Sequence, residues 1–481
     1  MKRIETALLL CLLLLAGCRT EVRPAGPGTD RNSFIYPEYE DVTIPCNIAP
    51  LNFYYTDPSG SGFVTRFTSG TESVTFRGRE VCWKEKRWAQ LLSTGHDIEV
   101  ESTWRSGGTP VRRNWTLHVS PDRIDPYLTY RLIEPGFEVW DNLEIVERHL
   151  ESFDEHPISD WRNTRNKCMN CHIHSQGRGD LSMFYVRGEG GGAILNRNGR
   201  LRKLNLRDSS MISSTVYGEI HPGGRFGVFS TNIIIPAMHP TGVRRMEVYD
   251  TKSDLCVADF DANRMYTFPE TAREDVFETF PVFSADGHFV YYCAGPAKKV
   301  PAELESIRYS LVRRPFDAET GALGSPADTV WSAAEHKASV CHPKASPDGR
   351  WLLYTVADYG TFPINHRECE LEMMDLKTGR ILPMDPVNSN KSDTYHSWAS
   401  TSKWFAFASK RGDGLYGKPY FSHVGEDGSV SKPFLLPQKD PHFYDTMLRS
   451  FNLPDLGNAS VGFDAREIGR IWREVPAEIF E

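Results

Sequence analysis

The chain has 481 residues, of which 25% are charged and 40% are hydrophobic, and its formal net charge is -8. This length and composition exclude a disordered or fibrous protein and leave room for two or three domains. A mildly acidic chain without a basic run argues against nucleic acid as the partner.

The first residues are typical of a secretion signal. Lys2 and Arg3 supply the positive start, and the apolar run Ala7 to Leu15 is too short to span a bilayer. The run ends in Leu15-Ala16-Gly17-Cys18, which resembles a bacterial lipobox. That resemblance implies a signal over residues 1–17 and a lipid on Cys18; an ordinary signal cleaved nearby, with Cys18 left free, is the alternative. Residues 18–40, rich in Pro, Gly and charge at their start, are predicted to form a flexible tether.

Residues 41–125 are predicted to form a small β-rich, sandwich-like domain. Short stretches alternate between apolar and polar residues, as in Gly62–Phe67 and Trp115–Val119, and turn residues separate them. One helical insertion is expected at Lys84–Leu92, because Trp88, Leu91 and Leu92 share a helical face.

Residues 126–167 are predicted to form a linker that contains a helix. Leu143, Val146 and Leu150 recur at helical spacing, which indicates a helix from about Asn142 to Phe153.

Beyond Cys168 the sequence repeats a tight turn followed by a short apolar strand. The clear copies are His221–Ser230, Ser284–Tyr292 and Ser346–Thr355, and the weaker ones are Ala399–Ser409 and Gly177–Tyr185. The turn glycines Gly224, Gly287 and Gly349 are 63 and 62 residues apart. Because a propeller blade usually takes about 40 to 45 residues, loop insertions are expected on one face.

The Ser-Pro-Asp-Gly-Arg motif with its aromatic strand resembles the blades of TolB-like, WD-repeat-related β-propellers. The predicted fold is therefore all-β, with a propeller over residues 168–440 and a C-terminal extension over 441–481. Five blades are visible, a sixth could be built from the chain ends, and the sequence leaves both five and six blades open. A β-sandwich with accidental turn similarity is the alternative.

Residues Cys168-Met169-Asn170-Cys171-His172 match the Cys-x-x-Cys-His pattern that attaches c-type haem. Two residues between the cysteines let both thiols reach the vinyl groups of one porphyrin, and the adjacent histidine then binds the iron. The sequence thus predicts one covalent haem c held by Cys168, Cys171 and His172.

Other interpretations of this segment stay open, namely a structural disulfide, a thioredoxin-like redox pair, or zinc bound with His172 and His174. The turn at Gly177–Gly179 stands where a thioredoxin-like site needs a helix, and no second Cys-x-x-Cys pair completes a structural zinc site. The sequence does not define the pairing of the six other mature cysteines, Cys46, Cys82, Cys256, Cys293, Cys341 and Cys369.

The sixth iron ligand would decide between electron transfer and small-molecule chemistry. The candidates within the first two predicted blades are Met183, Met211, His221, Met238 and His239. We expect His239 first and Met238 second, because they stand in a long insertion after a blade strand, and an open position third. No peroxidase-type distal pattern and no Gly-x-Ser-x-Gly elbow occurs.

Nearly the whole mature chain is similar to a family of Bacteroidetes lipoproteins of TolB-like or cytochrome-c type. The segments that carry this resemblance are Ile44–Phe53, Tyr130–Gly136, Cys168–His172, the blade motifs and Leu436–Pro441. The resemblance implies the propeller and the haem, but it leaves the biochemical role undefined.

Two functional hypotheses follow. The first is a lipid-anchored periplasmic cytochrome of a Gram-negative cell envelope, which passes electrons to a redox partner protein or senses redox state. The second is a TolB-like binding module for an envelope protein, a peptide or a glycan, in which haem or a Cys168–Cys171 disulfide is structural.

Overall fold

A computed structural model describes residues 33–135, 142–238 and 246–481. In these residues the strands form two sheets near the N-terminus and six further sheets. The helices of this part of the chain are Glu85–Leu92, Ala333–His336, Phe443–Thr446 and Ala465–Glu474, with 3-10 turns at Pro269–Thr271, Leu304–Ser306 and Pro363–Asn365. None of the described helices is long and apolar enough to cross a membrane.

The N-terminal domain consists of a five-stranded and a three-stranded sheet. In spatial order the strands are Thr43–Pro45, Thr109–Ser120, Ile98–Ser106, Gly60–Ser69 and Glu72–Arg77 in the first sheet, and Ile35–Tyr36, Phe53–Tyr55 and Glu80–Val81 in the second. Alternating apolar side chains such as Phe67 and Trp115 face a buried core that Trp88 of the helix Glu85–Leu92 joins. The predicted β-rich domain and its helix are therefore confirmed.

The six remaining sheets are the blades of a propeller, and we number them in chain order. From the innermost strand outward the strands are Ser450–Gly457, Tyr127–Ile133, Glu144–His149 and Glu155–Asp160 in blade 1; Met169–Ser175, Arg178–Val186, Gly192–Arg197 and Arg200–Asn205 in blade 2; Thr215–Ile220, Phe226–Met238, Met246–Asp259 and Arg264–Thr267 in blade 3; Val276–Phe283, Phe289–Pro296, Ser310–Asp317 and Ala322–Leu323 in blade 4, with Asp328–Trp331 beside the third; Ser339–Ala345, Trp351–Ala357, Glu370–Asp375 and Ile381–Leu382 in blade 5; and Asp393–Trp398, Trp404–Ser409, Lys418–His423 and Phe434–Leu435 in blade 6.

The inner strands of the six blades contact one another in turn around a closed ring. Blade 1 takes its inner strand, Ser450–Gly457, from near the C-terminus, and this strand pairs antiparallel with Tyr127–Ile133. The C-terminal part of the chain therefore closes the ring. This closure confirms the all-β propeller, and of the two blade numbers left open by the sequence the described residues form six.

The repeated sequence motif forms the hairpin between the first and second strands of a blade. In blade 5, the Ser346 hydroxyl accepts a hydrogen bond from the Trp351 amide (2.9 Å) and donates one to Asp348 Oδ1 (2.6 Å). Gly349 has φ 73°, a conformation that favours glycine. Ser284, Asp286 and Gly287 repeat this arrangement in blade 4.

The helix predicted over residues 142–153 is wrong, because Glu144–His149 is the third strand of blade 1. Because Glu147 and Arg148 are charged, the sequence predicts only Leu143, Val146 and Leu150 on the buried face, and their spacing is helical.

In the structure Glu147 and Arg148 are themselves buried in the strand. Their charges have distant partners: Glu147 accepts from Ser460 Oγ (2.6 Å), and Arg148 donates to the Pro437 carbonyl (3.1 Å). Long-range contacts thus outweigh the local pattern.

Both ends of the described chain are more structured than the sequence indicated. Ile35–Tyr36, within the predicted tether, pairs with Phe53–Tyr55, and Ile35 is buried. Towards the C-terminus, the helix Ala465–Glu474 is capped by Asp464, and Glu478–Ile479 pairs in parallel with the outer strand of blade 2. The propeller therefore runs from Tyr127 to Gly457, while the signal segment and Cys18 lie outside the described residues.

Candidate functional site

The predicted haem motif lies in the inner strand of blade 2, at the blade's contact with blade 1. Cys168 precedes the strand Met169–Ser175, and its carbonyl accepts a hydrogen bond from the amide of Arg187, which follows the second strand (2.9 Å). Asn170 pairs with Tyr185 and Ile173 with Met183, so that Cys171 and His172 form a two-residue bulge between them.

Most other inner strands carry the same bulge. The register shift leaves out Phe280–Pro281 in blade 4, His342–Pro343 in blade 5, Tyr395–His396 in blade 6 and Leu453–Pro454 in blade 1. The Cys171–His172 pair therefore occupies a position that the propeller repeat itself creates. Its location needs no cofactor to explain it.

His172 and His396 are equivalent residues of two blades, and each donates to a backbone carbonyl of the preceding blade. The Nε2–H of His172 donates to the Leu453 carbonyl of blade 1 (2.7 Å), and that of His396 donates to the Leu353 carbonyl of blade 5 (2.9 Å). Both imidazoles are 5% exposed, and burial lowers the pKa of each from 6.5 to about 3. Each histidine is a neutral link from its own blade to the preceding one.

In the described conformation of residues 168–172, Nε2 of His172 donates to the Leu453 carbonyl, whereas Nδ1 is buried and has no hydrogen-bond partner within the described residues. Cys168 packs against the apolar cluster between blades 1 and 2 and is a free thiol. No haem-dependent step follows from this geometry, and the haem stays a prediction.

The candidate sixth ligands are spread over the first described blades. Met183 and Met211 are buried in the cluster between blades 2 and 3, whereas His172 faces blade 1. His221 packs between Phe283 and Phe316, and its Nδ1 accepts from the Gly223 amide (2.9 Å). His239 and the side chains of Met238 and Cys171 lie outside the described part of the structure.

Every cysteine with a described side chain is a free thiol. Cys256, Cys293, Cys341 and Cys369 are buried in the propeller, Cys46 and Cys168 are half-buried, and Cys82 is exposed. Burial raises the pKa of the four buried thiols, so they behave as small apolar side chains. Within the described residues the cysteines therefore make no disulfide framework.

A second candidate site is a cavity of about 950 Å³ that we call the loop cleft. Loops and strand ends from blades 3 to 6 line it: Ala237, Glu247 and Tyr249; Pro301, Ala302, Leu304 and Glu305; Tyr359 and residues 364–368; Lys391 and Ser392; and Lys410, Asp413 and Gly414. The long loops of blades 4, 5 and 6 thus meet on one face, as the wide spacing of the turn motifs predicted.

His366 joins two blades across the floor of this cleft. Its Nε2 lies 3.4 Å from Glu247 Oε2 of blade 3, and its Nδ1 lies 3.3 Å from Glu368 Oε1 of blade 5. The Tyr359 hydroxyl donates to Glu247 Oε1 (2.7 Å). Although burial opposes it, these two carboxylates raise the pKa of His366 above its usual 6.5. The cleft is therefore built on a fixed charged framework.

No motif in the sequence marked the residues of the loop cleft. His366, Lys391 and Lys410 come from three separate loops that only the ring of blades brings together. The sequence offered one indication, namely that the distance between successive turn motifs exceeds the usual length of a blade. That distance predicts loop insertions on one face but does not show which side chains line a cavity there. The structure therefore adds a site that sequence reasoning missed.

No family model matches this chain, and no curated protein matches it. Solved structures to which it is similar include TolB from Acinetobacter baumannii (TM-score 0.43, 10% identity, 74% of this chain and 79% of that one). Others are putative TolB from Agrobacterium tumefaciens (0.38, 11%, 66% and 94%) and a hypothetical selenium-binding protein from Sulfolobus tokodaii (0.42, 8%, 72% and 96%). At these scores the comparison carries no argument about function.

Proposed function

We propose that this chain is a binding module of the bacterial cell envelope and that the loop cleft holds its ligand. The proposal is supported by one observation above all: a 950 Å³ cavity lined by charged side chains lies where four blades present their loops. Binding residues are commonly carried on loops that a rigid scaffold positions. Part of an envelope protein, a peptide or a glycan would occupy the cleft.

Photo-crosslinking in cells tests this proposal. A benzoyl-phenylalanine at the exposed Ala302 lines the cleft, whereas the same residue at the exposed Arg350 stands in a hairpin turn outside it. We expect a specific adduct from position 302 only, and a loss of that adduct when Ala237→Trp fills the cleft. Equal adducts from both positions, or an adduct that survives Ala237→Trp, would contradict the proposal.

We also propose that a lipid on Cys18 anchors the protein to the envelope of a Gram-negative bacterium, facing the periplasm. The lipobox-like sequence around Cys18 supports this placement. Cys18→Ala should release the protein from the membrane fraction into the soluble periplasmic fraction. Continued partition of this variant into membranes would rule out Cys18 as the main anchor.

A second candidate function is electron transfer or redox sensing through one covalent haem c. The Cys168-x-x-Cys171-His172 sequence favours it, with His239 first and Met238 second as the other axial ligand. Protein produced with a cytochrome c maturation system should then keep haem through denaturing electrophoresis. Absence of haem staining, or equal staining of a Cys168→Ser/Cys171→Ser variant, would reject this function.

A further inference from the structure

Two lysines, Lys391 and Lys410, line the loop cleft. The Lys410 amide donates to the Ser392 carbonyl (2.9 Å), so the backbones of the two loops that carry these lysines lie beside each other. Within the described residues, neither ammonium group has a hydrogen-bond or ion-pair partner. By contrast, Lys403 pairs with Glu426 outside the cleft.

The carboxylates of the cleft already have partners. Glu247 and Glu368 flank His366, and Asp413 accepts hydrogen bonds from two backbone amides of its own loop. Glu305 also has an interaction partner.

Arg367 donates its Nε–H to the Asn390 carbonyl (3.1 Å), and the side-chain nitrogen of Asn365 has no hydrogen-bond partner within the described residues. The charged groups left to meet a ligand are therefore cationic, namely the two lysines and the remaining N–H groups of Arg367, which favours an anionic ligand.

Lys410 is costly to leave unpaired in this position. Burial lowers its pKa from 10.5 to about 8, although the Asp413 carboxylate acts to raise it. The ammonium is still the main form at neutral pH. A ligand carboxylate beside it would offset the lost hydration of the ammonium.

The rest of the lining favours a peptide over an acidic sugar. Pro301, Ala302 and Leu304 give the cleft an aliphatic wall suited to apolar side chains. Tyr249 and Tyr359 are only 8% and 5% exposed, so they do not present the open aromatic faces on which sugar rings stack.

We infer that the loop cleft binds an acidic peptide segment, with an Asp or Glu carboxylate, or a C-terminal carboxylate, seated on Lys391 and Lys410. This inference rests on the proposed function, because it names the ligand chemistry of the same cleft.

A random peptide library selected against the full chain supplies the probe. We expect enrichment of Asp and Glu, and the best peptide, measured by fluorescence polarisation, should bind the Lys391→Met/Lys410→Met variant about tenfold or more weakly than wild type. Lys403→Met, which removes a paired lysine elsewhere, should bind as wild type does. Lys410→Arg, which keeps the charge, should retain most of the affinity.

Failure of this inference and failure of the proposed function give different results. One outcome is that selected peptides fail to bind Ala237→Trp and yet carry no acidic residue and bind Lys391→Met/Lys410→Met normally. That result overturns the inference about an acidic ligand and leaves the proposed binding module standing. Tighter, lysine-dependent binding of tetragalacturonate than of any peptide overturns the choice of a peptide. If no peptide is selected and position 302 gives no adduct, the proposed function itself is contradicted.

Discussion

The seam between blades 1 and 2 and the loop cleft use buried polar groups in opposite ways. At the seam, His172 is neutral and donates its Nε2 proton to a backbone carbonyl of the preceding blade. In the cleft, carboxylates raise the pKa of His366, and two lysines have no partner within the described chain. The Cys-x-x-Cys-His motif, the clearest motif of the sequence, thus lies at a contact between two blades, where its histidine is already hydrogen-bonded. Those two lysines line the loop cleft, where the sequence shows no motif.

The largest expected effect on the free energy of unfolding comes from the two histidines that link neighbouring blades. His172→Ala and His396→Ala should each lower the free energy of unfolding by about 2–4 kcal/mol, because each removes a buried ring and leaves a carbonyl without its donor. Urea denaturation followed by tryptophan fluorescence measures both. Similar losses support equivalent roles in two blades; a loss at only one position would break the equivalence.

The framework of the cleft should matter less for folding. Glu247→Gln removes the charge that faces His366, and we expect it to cost about 1–2 kcal/mol. Glu305→Gln, an exposed carboxylate of the same cleft, should change the unfolding free energy by less than about 0.5 kcal/mol. Equal effects of the two changes would mean that the His366 bridge does not stabilise the fold.

The two histidine environments should respond to pH with opposite signs. The folded pKa of His396 lies below the unfolded value of 6.5, so its stabilisation is present above pH 6.5 and is lost as the pH falls towards about 3. The folded pKa of His366 lies above 6.5, so its stabilisation is present below pH 6.5 and is lost as the pH rises through the folded pKa.

These two contributions are isolated by measuring the free energy of unfolding of wild type, His396→Gln and His366→Gln from pH 5 to 8. The value for each variant is subtracted from that of wild type at each pH. The two difference curves should slope in opposite directions, each by at most about 1.4 kcal/mol per pH unit. Parallel curves would contradict the assigned environments.

The two lysines of the cleft should affect the stability of the fold little, although they should affect ligand binding most. Lys391→Met and Lys410→Met should each change the unfolding free energy by less than about 1 kcal/mol, and Lys410→Met is expected to be stabilising, because a buried ammonium without a partner is removed. Thermal unfolding without ligand measures this. A clear destabilisation would show that these lysines serve the fold.

The sequence was sufficient for the features that local patterns encode. Turn motifs such as Ser346–Trp351 predicted the blades, and the alternation around Trp115 predicted the N-terminal sheets. The helix predicted over 142–153 is wrong because Glu147 and Arg148 are buried in a strand, where hydrogen-bond partners about 300 residues away satisfy their polar groups. The same limit applies to the cleft, since nothing local indicates that Lys391, Lys410 and His366 share one cavity.

The most direct test of the account compares peptide affinity in two folded variants. Below the unfolding temperature of both proteins, the selected acidic peptide should bind His172→Ala as tightly as wild type and should bind Lys391→Met/Lys410→Met about tenfold or more weakly. Normal binding by the lysine variant together with weakened binding by His172→Ala would contradict the account and return the functional site to the inner strand of blade 2.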